Sequence, residues 1–250
     1  MTGRASPSRA GSKAVRSSHG ESENHNQQDA SHRIFFLSPA NASGVRAKAV
    51  FEGSPHSKWA VRMSGEGAPL GEVFSLISGL YFRGKLAYAR AFAVPPLHVP
   101  GISVITASGG LVSPDKILNI EDLRQISSAE IDHRDIRYRT PLIRDAQRIC
   151  ARLSSNCEVV LLGSIATQKY VEPLLSVFGD RLLFPAEFVG RGDMSRGGLM
   201  LRCQRAGVQL RYVPVVSAIR HGSRPPRLPS IGEVWAQSLR KPDDLQPWKR

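Results

Sequence analysis

Apolar and polar positions alternate along this chain with two different periods. Ile34-Phe35-Phe36-Leu37, Ile102-Ser103-Val104-Ile105 and Glu158-Val159-Val160-Leu161-Leu162 are short apolar runs that read as strands. The third is apolar almost throughout, as a strand buried on both faces should be. Between them Leu70, Val73, Phe74, Ile77, Leu80 and Tyr81 recur at helical spacing. That predicts helix from Pro69 to Phe92, with Gly79 and Gly84 as weak points. Thr140 to Leu153 predicts another, with Thr140 as N-cap, Pro141 in the first position and Leu142, Ile143, Ala146, Ile149 and Leu153 on one face. Gln168 to Phe178 and Met194 to Arg205 read as helices, Arg181 to Phe184 as a fourth strand and Gln209 to Val216 as a last one.

Strands alternating with helices predict an α/β fold of three layers, a mainly parallel, Rossmann-like sheet flanked by helices. The pattern fills residues 34–221, read as a single domain. Residues 1–33 are rich in Ser, Gly, Asn, Gln and His and nearly free of large apolar side chains. Such a segment buries too little surface to offset its ordering entropy, so a disordered tail is expected. Glu21, Glu23 and Asp29 argue against a transit peptide, and no apolar core follows the first basic residues, so no secretory signal is expected. Residues 222–250 open with Gly-Ser-Arg-Pro-Pro-Arg-Leu-Pro and read as a Pro-rich basic tail, with a short helix at Ile231 to Leu239 and Trp235 as a docking side chain.

Composition narrows the class. The chain has 250 residues, 41% hydrophobic and 22% charged, which excludes a collagen, a coiled coil and a wholly disordered chain. No stretch approaches the roughly 18–20 apolar residues of a membrane helix, so no membrane partner is expected. Three cysteines, Cys150, Cys157 and Cys203, are too few and badly spaced for a disulfide framework or a zinc site, and free thiols fit a reducing cytoplasm. No His spacing suggests a metal, and no cofactor is expected. Lys+Arg number 34 against 21 Asp+Glu, a net charge of +13. This excess points to a polyanionic partner, DNA or RNA or a phosphorylated small molecule, or to nothing beyond a soluble basic surface. Arg144, Arg148 and Arg152 share one helical face and are either a nucleic-acid track or a solvated stripe.

In open α/β sheets ligands bind beyond the carboxyl ends of the strands. Four segments follow strands here and carry suitable groups. The first is Ser38-Pro39-Ala40-Asn41, the second Thr106 through Gly110. The third, Gly163-Ser164-Ile165-Ala166-Thr167, leads into a helix whose free N–H groups suit an anion, with Lys169 adding charge; otherwise it is an ordinary turn capped by Thr167. The fourth, Glu187 through Gly198, holds Arg191, Ser195 and Arg196 as candidate phosphate or carboxylate contacts and Asp193 as a helix cap or acid. Glu187, Asp115 and Asp193 are the candidate catalytic acids. Ser38, Asn41, Thr106, Gly163, Ser164, Thr167, Lys169, Arg191, Ser195 and Arg196 are the candidate ligand contacts. There is no Walker A loop, and no G-x-S-x-G elbow, so a serine hydrolase is not expected.

Val104-Ile105-Thr106-Ala107-Ser108-Gly109-Gly110-Leu111-Val112-Ser113-Pro114-Asp115, followed by Ile120-Glu121-Asp122, resembles the strand-turn segment of small bacterial domains related to the YaaA peroxide-stress family. Leu37-Ser38-Pro39-Ala40 resembles that family's Ser-Pro-Ala start, although Asn41 stands where the pattern has Lys and Gly109 where it has an aromatic. The likeness runs from about Ile34 to Val213. It implies a uracil-DNA-glycosylase-like fold and the handling of nucleic acid or nucleobases. Two readings follow. One is a cytoplasmic nucleic-acid- or nucleotide-associated protein, linked to stress response or nucleic-acid modification. The other is an N-glycosidic hydrolase or transferase, which needs a carboxylate to position water or stabilise an oxocarbenium ion.

Overall fold

The computed structural model describes residues 32–41, 45–52, 58–226 and 228. The chain enters at β1 (Arg33–Leu37) and continues through helices α1 (Val45–Glu52) and α2 (Lys58–Ser64), the short strand β2 (Ala68–Pro69), α3 (Leu70–Ser78) and α4 (Leu80–Phe92). Next come β3 (Ile102–Ile105), β4 (Leu111–Val112), β5 (Ile117–Leu118), α5 (Ile120–Ile126) and α6 (Ile136–Cys150). The last part holds β6 (Glu158–Leu162), α7 (Gln168–Phe178), β7 (Leu182–Pro185), α8 (Asp193–Ala206) and β8 (Tyr212–Pro214). The expected N-terminal tail lies outside the described residues up to Ser31, and Arg33 belongs to β1 rather than to it. The helix expected at Ile231 to Leu239 also lies outside them.

The fold is α/β, with a six-stranded, mainly parallel mixed sheet in the order β4-β3-β1-β6-β7-β8. β1 pairs in parallel with β3 and β6, and β6 with β7. The two edge strands, β4 and β8, run antiparallel to their neighbours. Side chains on β1 alternate between the faces: Phe35 meets Tyr88 of α4 edge-on, whereas Phe36 meets Phe178 of α7. The sheet is therefore covered on one side by α4, with α3 and α8 against it, and on the other by α6 and α7. Ile34 through Leu37 and Val159 through Leu162 are fully buried, which is why both strands read as unbroken apolar runs.

Three boundaries differ from expectation for local reasons. The long helix expected from Pro69 to Phe92 breaks at Gly79, whose φ of 61° lies outside the range most side chains adopt. The helix expected from Thr140 begins at Ile136 instead, because the Asp135 carboxylate accepts the Arg137 N–H at 2.9 Å and caps it there; Pro141 is inside the helix. The last strand keeps only Tyr212–Pro214, since Pro214 ends the ladder and a single turn of 3-10 helix follows at Val215–Ser217.

α4 and α8 approach each other through glycine. A methyl group on Gly84 would sit 2.6 Å from the Gly197 carbonyl oxygen, and one on Gly197 would sit 2.7 Å from that of Leu80. The two backbones are in direct contact, and this crossing brings the start of α8 next to Tyr81.

Candidate functional site

The chain leaves β1 toward β3 on one side and β6 toward β7 on the other. The carboxyl ends of β1 and β6 therefore form a switch point, where diverging connections leave a crevice. A cavity of about 590 Å³ lies there. Ser38, Pro39, Ala40 and Asn41 supply one wall and Ser164 with Lys169 and Tyr170 another. Phe74, Ser78 and Tyr81 come from α3 and α4, Asp193 from α8, and Ile126, Glu130 and Ile131 from the end of α5 and the loop beyond.

Of the expected site residues, Ser38, Asn41, Ser164, Lys169 and Asp193 reach this cavity. Gly163 lies directly beneath it: a methyl group there would meet Ser38 Cβ at 3.0 Å and Oγ at 3.2 Å. Thr106 is buried and turned to the backbone, donating to the Gly110 carbonyl and accepting from the Gly109 N–H, so it fixes the turn after β3. Thr167 holds the N-cap position of α7 without a side-chain hydrogen bond and does not line the cavity. Ser164 accepts the Ala166 N–H at 3.3 Å, which shapes the turn.

In the 187–198 loop Asp193 lines the cavity, but the arginines do not. Arg191 donates to the Glu187 carbonyl at 3.0 Å and to Ser195 Oγ at 3.3 Å, so these residues bind one another. Arg196 stacks over the Phe188 ring, donates to the Phe188 carbonyl at 3.2 Å and has the Asp193 carboxylate at 3.9 Å. Glu187 accepts the Arg211 N–H through Oε1 and points toward β8. Asp115 pairs with Arg90 at 2.5 Å on the exposed surface. Antiparallel β4 carries the chain to Asp115 away from the carboxyl edge. Of the three candidate acids, Asp193 alone lines the cavity, and Glu130, not foreseen, joins it.

Sequence reasoning also passed over Lys85. It is fully buried under the cavity floor, one turn along α4 from Tyr81. Its Nζ donates to the Ser38 carbonyl and to Ser38 Oγ, the latter at 2.8 Å. The ammonium lies 4.5 Å from the Tyr81 ring centre and 4.9 Å from that of Phe82. Burial pulls the Lys85 pKa down to about 7, Asp193 pulling it back up and Arg196 lowering it further. The available signal was a lone lysine within the apolar stripe of Tyr81, Leu86, Tyr88 and Ala89. Burial pushes the Tyr81 hydroxyl up to about 12; the Arg196 guanidinium opposes that shift from nearby without a hydrogen bond of ordinary geometry.

Among the described residues, no group of three or more His, Cys, Asp or Glu is placed to hold a metal ion, and no helix is long and apolar enough to cross a membrane. The chain matches no protein-family model, no curated protein and no solved structure.

Proposed function

We propose that this is a nucleotide-associated α/β protein whose ligand sits in the cavity at the ends of β1 and β6. The observation that supports this most is the mixed lining. Phe74, Tyr81 and Tyr170 offer aromatic surface for a flat heterocycle, Ser38, Asn41 and Ser164 offer hydrogen-bonding groups, and Lys169 offers a charge at the mouth for phosphate. The net charge of +13 favours association with anions generally. The likeness of Leu37-Ser38-Pro39-Ala40 to the start of the YaaA family leans the same way. Arg191 has no part in this reading, because its partners lie within the 187–198 loop and in Pro226.

The N-glycosidic reading is supported by one specific feature, the Asp193 carboxylate at the cavity wall. A carboxylate there suits the developing positive charge of a departing sugar. Calorimetric titration with nucleosides and their 5′-monophosphates tests the first reading. We expect a monophosphate to bind, and Lys169→Ala to weaken it about tenfold, the worth of one charged hydrogen bond of about 1.5 kcal/mol. Saturation by no nucleoside or nucleotide at millimolar concentration would refute it. Release of free base, abolished in Asp193→Asn, would establish the second reading.

A further inference from the structure

We propose that Ser38 and Lys85 form a nucleophile–base pair for acyl transfer, with Ser38 Oγ facing the cavity and Lys85 Nζ behind it as its proton acceptor. The inference goes beyond the nucleotide reading and does not depend on it. It rests on a fully buried lysine whose hydrogen-bonding partner, Ser38, lines the cavity.

The geometry meets the requirements of such a pair. The Nζ to Oγ separation is 2.8 Å, within reach for direct proton transfer. The second Nζ hydrogen bond goes to the Ser38 carbonyl, which fixes the amine relative to the same residue. Ser38 is held in turn: its N–H donates to the Leu162 carbonyl at 3.1 Å, and Gly163 leaves room for its side chain, since a methyl group there would lie 3.0 Å from Ser38 Cβ. The serine thus stands at a strand end, oriented from below, without a G-x-S-x-G elbow.

The surroundings of Lys85 favour its neutral form. Tyr81 and Phe82 flank it from α4, Ser38 from just beyond β1, and Asp193 and Arg196 act on it from α8. Among the described residues it has no ion-pair partner; Asp193 acts through space and Arg196 opposes it. A buried ammonium with no carboxylate in contact is costly, and losing the proton relieves that cost. Neutral Lys85 then accepts a hydrogen bond from the Ser38 hydroxyl, and the serine becomes a usable nucleophile near neutral pH.

The substrate class is a small carboxylic ester or amide. Phe74, Tyr81, Ile126 and Ile131 line the cavity with apolar surface for its acyl part, and Lys169 adds a charge to the same lining. Ser38 Oγ bonds to the acyl carbon as its proton passes to Lys85. The tetrahedral adduct collapses, and the departing alkoxide or amine takes that proton from Lys85. Water then attacks the acyl-serine, giving a proton to Lys85. Ser38 Oγ departs with that proton, and the carboxylic acid is released. Ser164, whose oxygen accepts the Ala166 N–H and leaves its own O–H to donate, and Lys169 line the same cavity and are the donors it offers to the oxyanion.

The test uses the full chain and an alkyl fluorophosphonate, which loses fluoride when a serine oxygen bonds to its phosphorus. We expect one adduct per folded chain, in the tryptic peptide from Ile34 to Arg46, with fragment ions placing it on Ser38. Its rate should rise to a plateau with a midpoint near pH 7, the value at which Lys85 loses its proton. Ser38→Ala should abolish the adduct and Lys85→Met should slow it at least about a hundredfold, the usual worth of a general base. If Lys85→Met fails to fold, the pH profile of the unaltered chain carries the decision. An unmodified Ser38, an adduct formed only after unfolding, or a rate still climbing at pH 9 would each overturn the pair.

Discussion

Lys85 links the chemistry of one residue to the stability of the whole fold. Its pKa is lowered to about 7 by burial, against an ordinary value of 10.5. Below about pH 7 both folded and unfolded chains carry the proton, and the folded state bears the full cost of a buried charge. Between about 7 and 10.5 the unfolded chain binds more protons than the folded one, so this group makes stability rise with pH, by up to about 1.4 kcal/mol per unit. Cys157, Cys203 and the buried tyrosines have raised pKa values and act in the opposite sense at alkaline pH. The contribution of Lys85 is therefore best read as a difference. We expect the stability of Lys85→Met relative to the unaltered chain to fall as pH rises from about 7 to 9, measured by urea unfolding at fixed salt. A difference that does not change with pH would mean that Lys85 is charged throughout, held by the Ser38 carbonyl and the aromatic rings.

At the scale of elements, two neighbouring glycines of α8 should behave in opposite ways. Gly197 meets the backbone of α4 at Leu80 and Tyr81, whereas a methyl group on Gly198 would have nothing within 4 Å. We expect Gly198→Ala to stabilise by up to about 1 kcal/mol, the gain in helix propensity. Gly197→Ala should destabilise by about 1–3 kcal/mol despite the same gain, because the helices must separate. It should also draw Asp193 from the cavity wall. Thermal unfolding of the two variants checks the sign of each. The α6 cap makes a simpler case: Asp135→Ala should cost about 0.5–2 kcal/mol by leaving the Arg137 N–H without its acceptor.

These same elements explain what could and could not be read from sequence. β1, β3 and β6 were legible to within a residue because their apolar runs are bounded by turn residues, and α7 because Thr167 and Gly179 flank it. The start of α6 was not, since Asp135 lies in a polar stretch and Pro141 imitates a first-turn proline. Direction at the sheet edges was also invisible. β4 and β8 are short, and nothing in Leu111-Val112 or Tyr212-Val213-Pro214 encodes which way they pair. Strand ends pointed to Ser38, Asn41, Ser164 and Lys169, which line the cavity. Arg191 and Arg196 do not line that cavity; their guanidinium groups bind the nearby carbonyls of Glu187 and Phe188. Lys85 is placed by the α4–α8 crossing, which joins segments more than a hundred residues apart.

At the scale of the molecule, the positive charge and the cavity make separable predictions. Arg144 and Arg148 lie on the exposed face of α6, but both lean on Asp145, at 2.9 Å and 3.7 Å. Asp145 also accepts the Leu111 N–H through its other oxygen, so it is fixed in place and offsets part of the charge of that face. Arg152 lies just beyond the helix, exposed, with no carboxylate within ion-pairing distance among the described residues. If this face tracks duplex DNA, reversing all three arginines to Glu should lower the slope of log affinity against log salt by about 0.9 for each phosphate no longer neutralised. Because Asp145 competes for two of the three, we expect the slope to fall by the equivalent of between about one and three phosphates rather than three in full. Lys169→Ala, at the cavity mouth, should change that slope by no more than the equivalent of about one phosphate while weakening a bound monophosphate. Filter-binding or anisotropy titrations on one duplex across a range of salt supply both numbers. A slope unchanged by the triple reversal would remove α6 from the interface and leave the excess charge as a property of the surface at large.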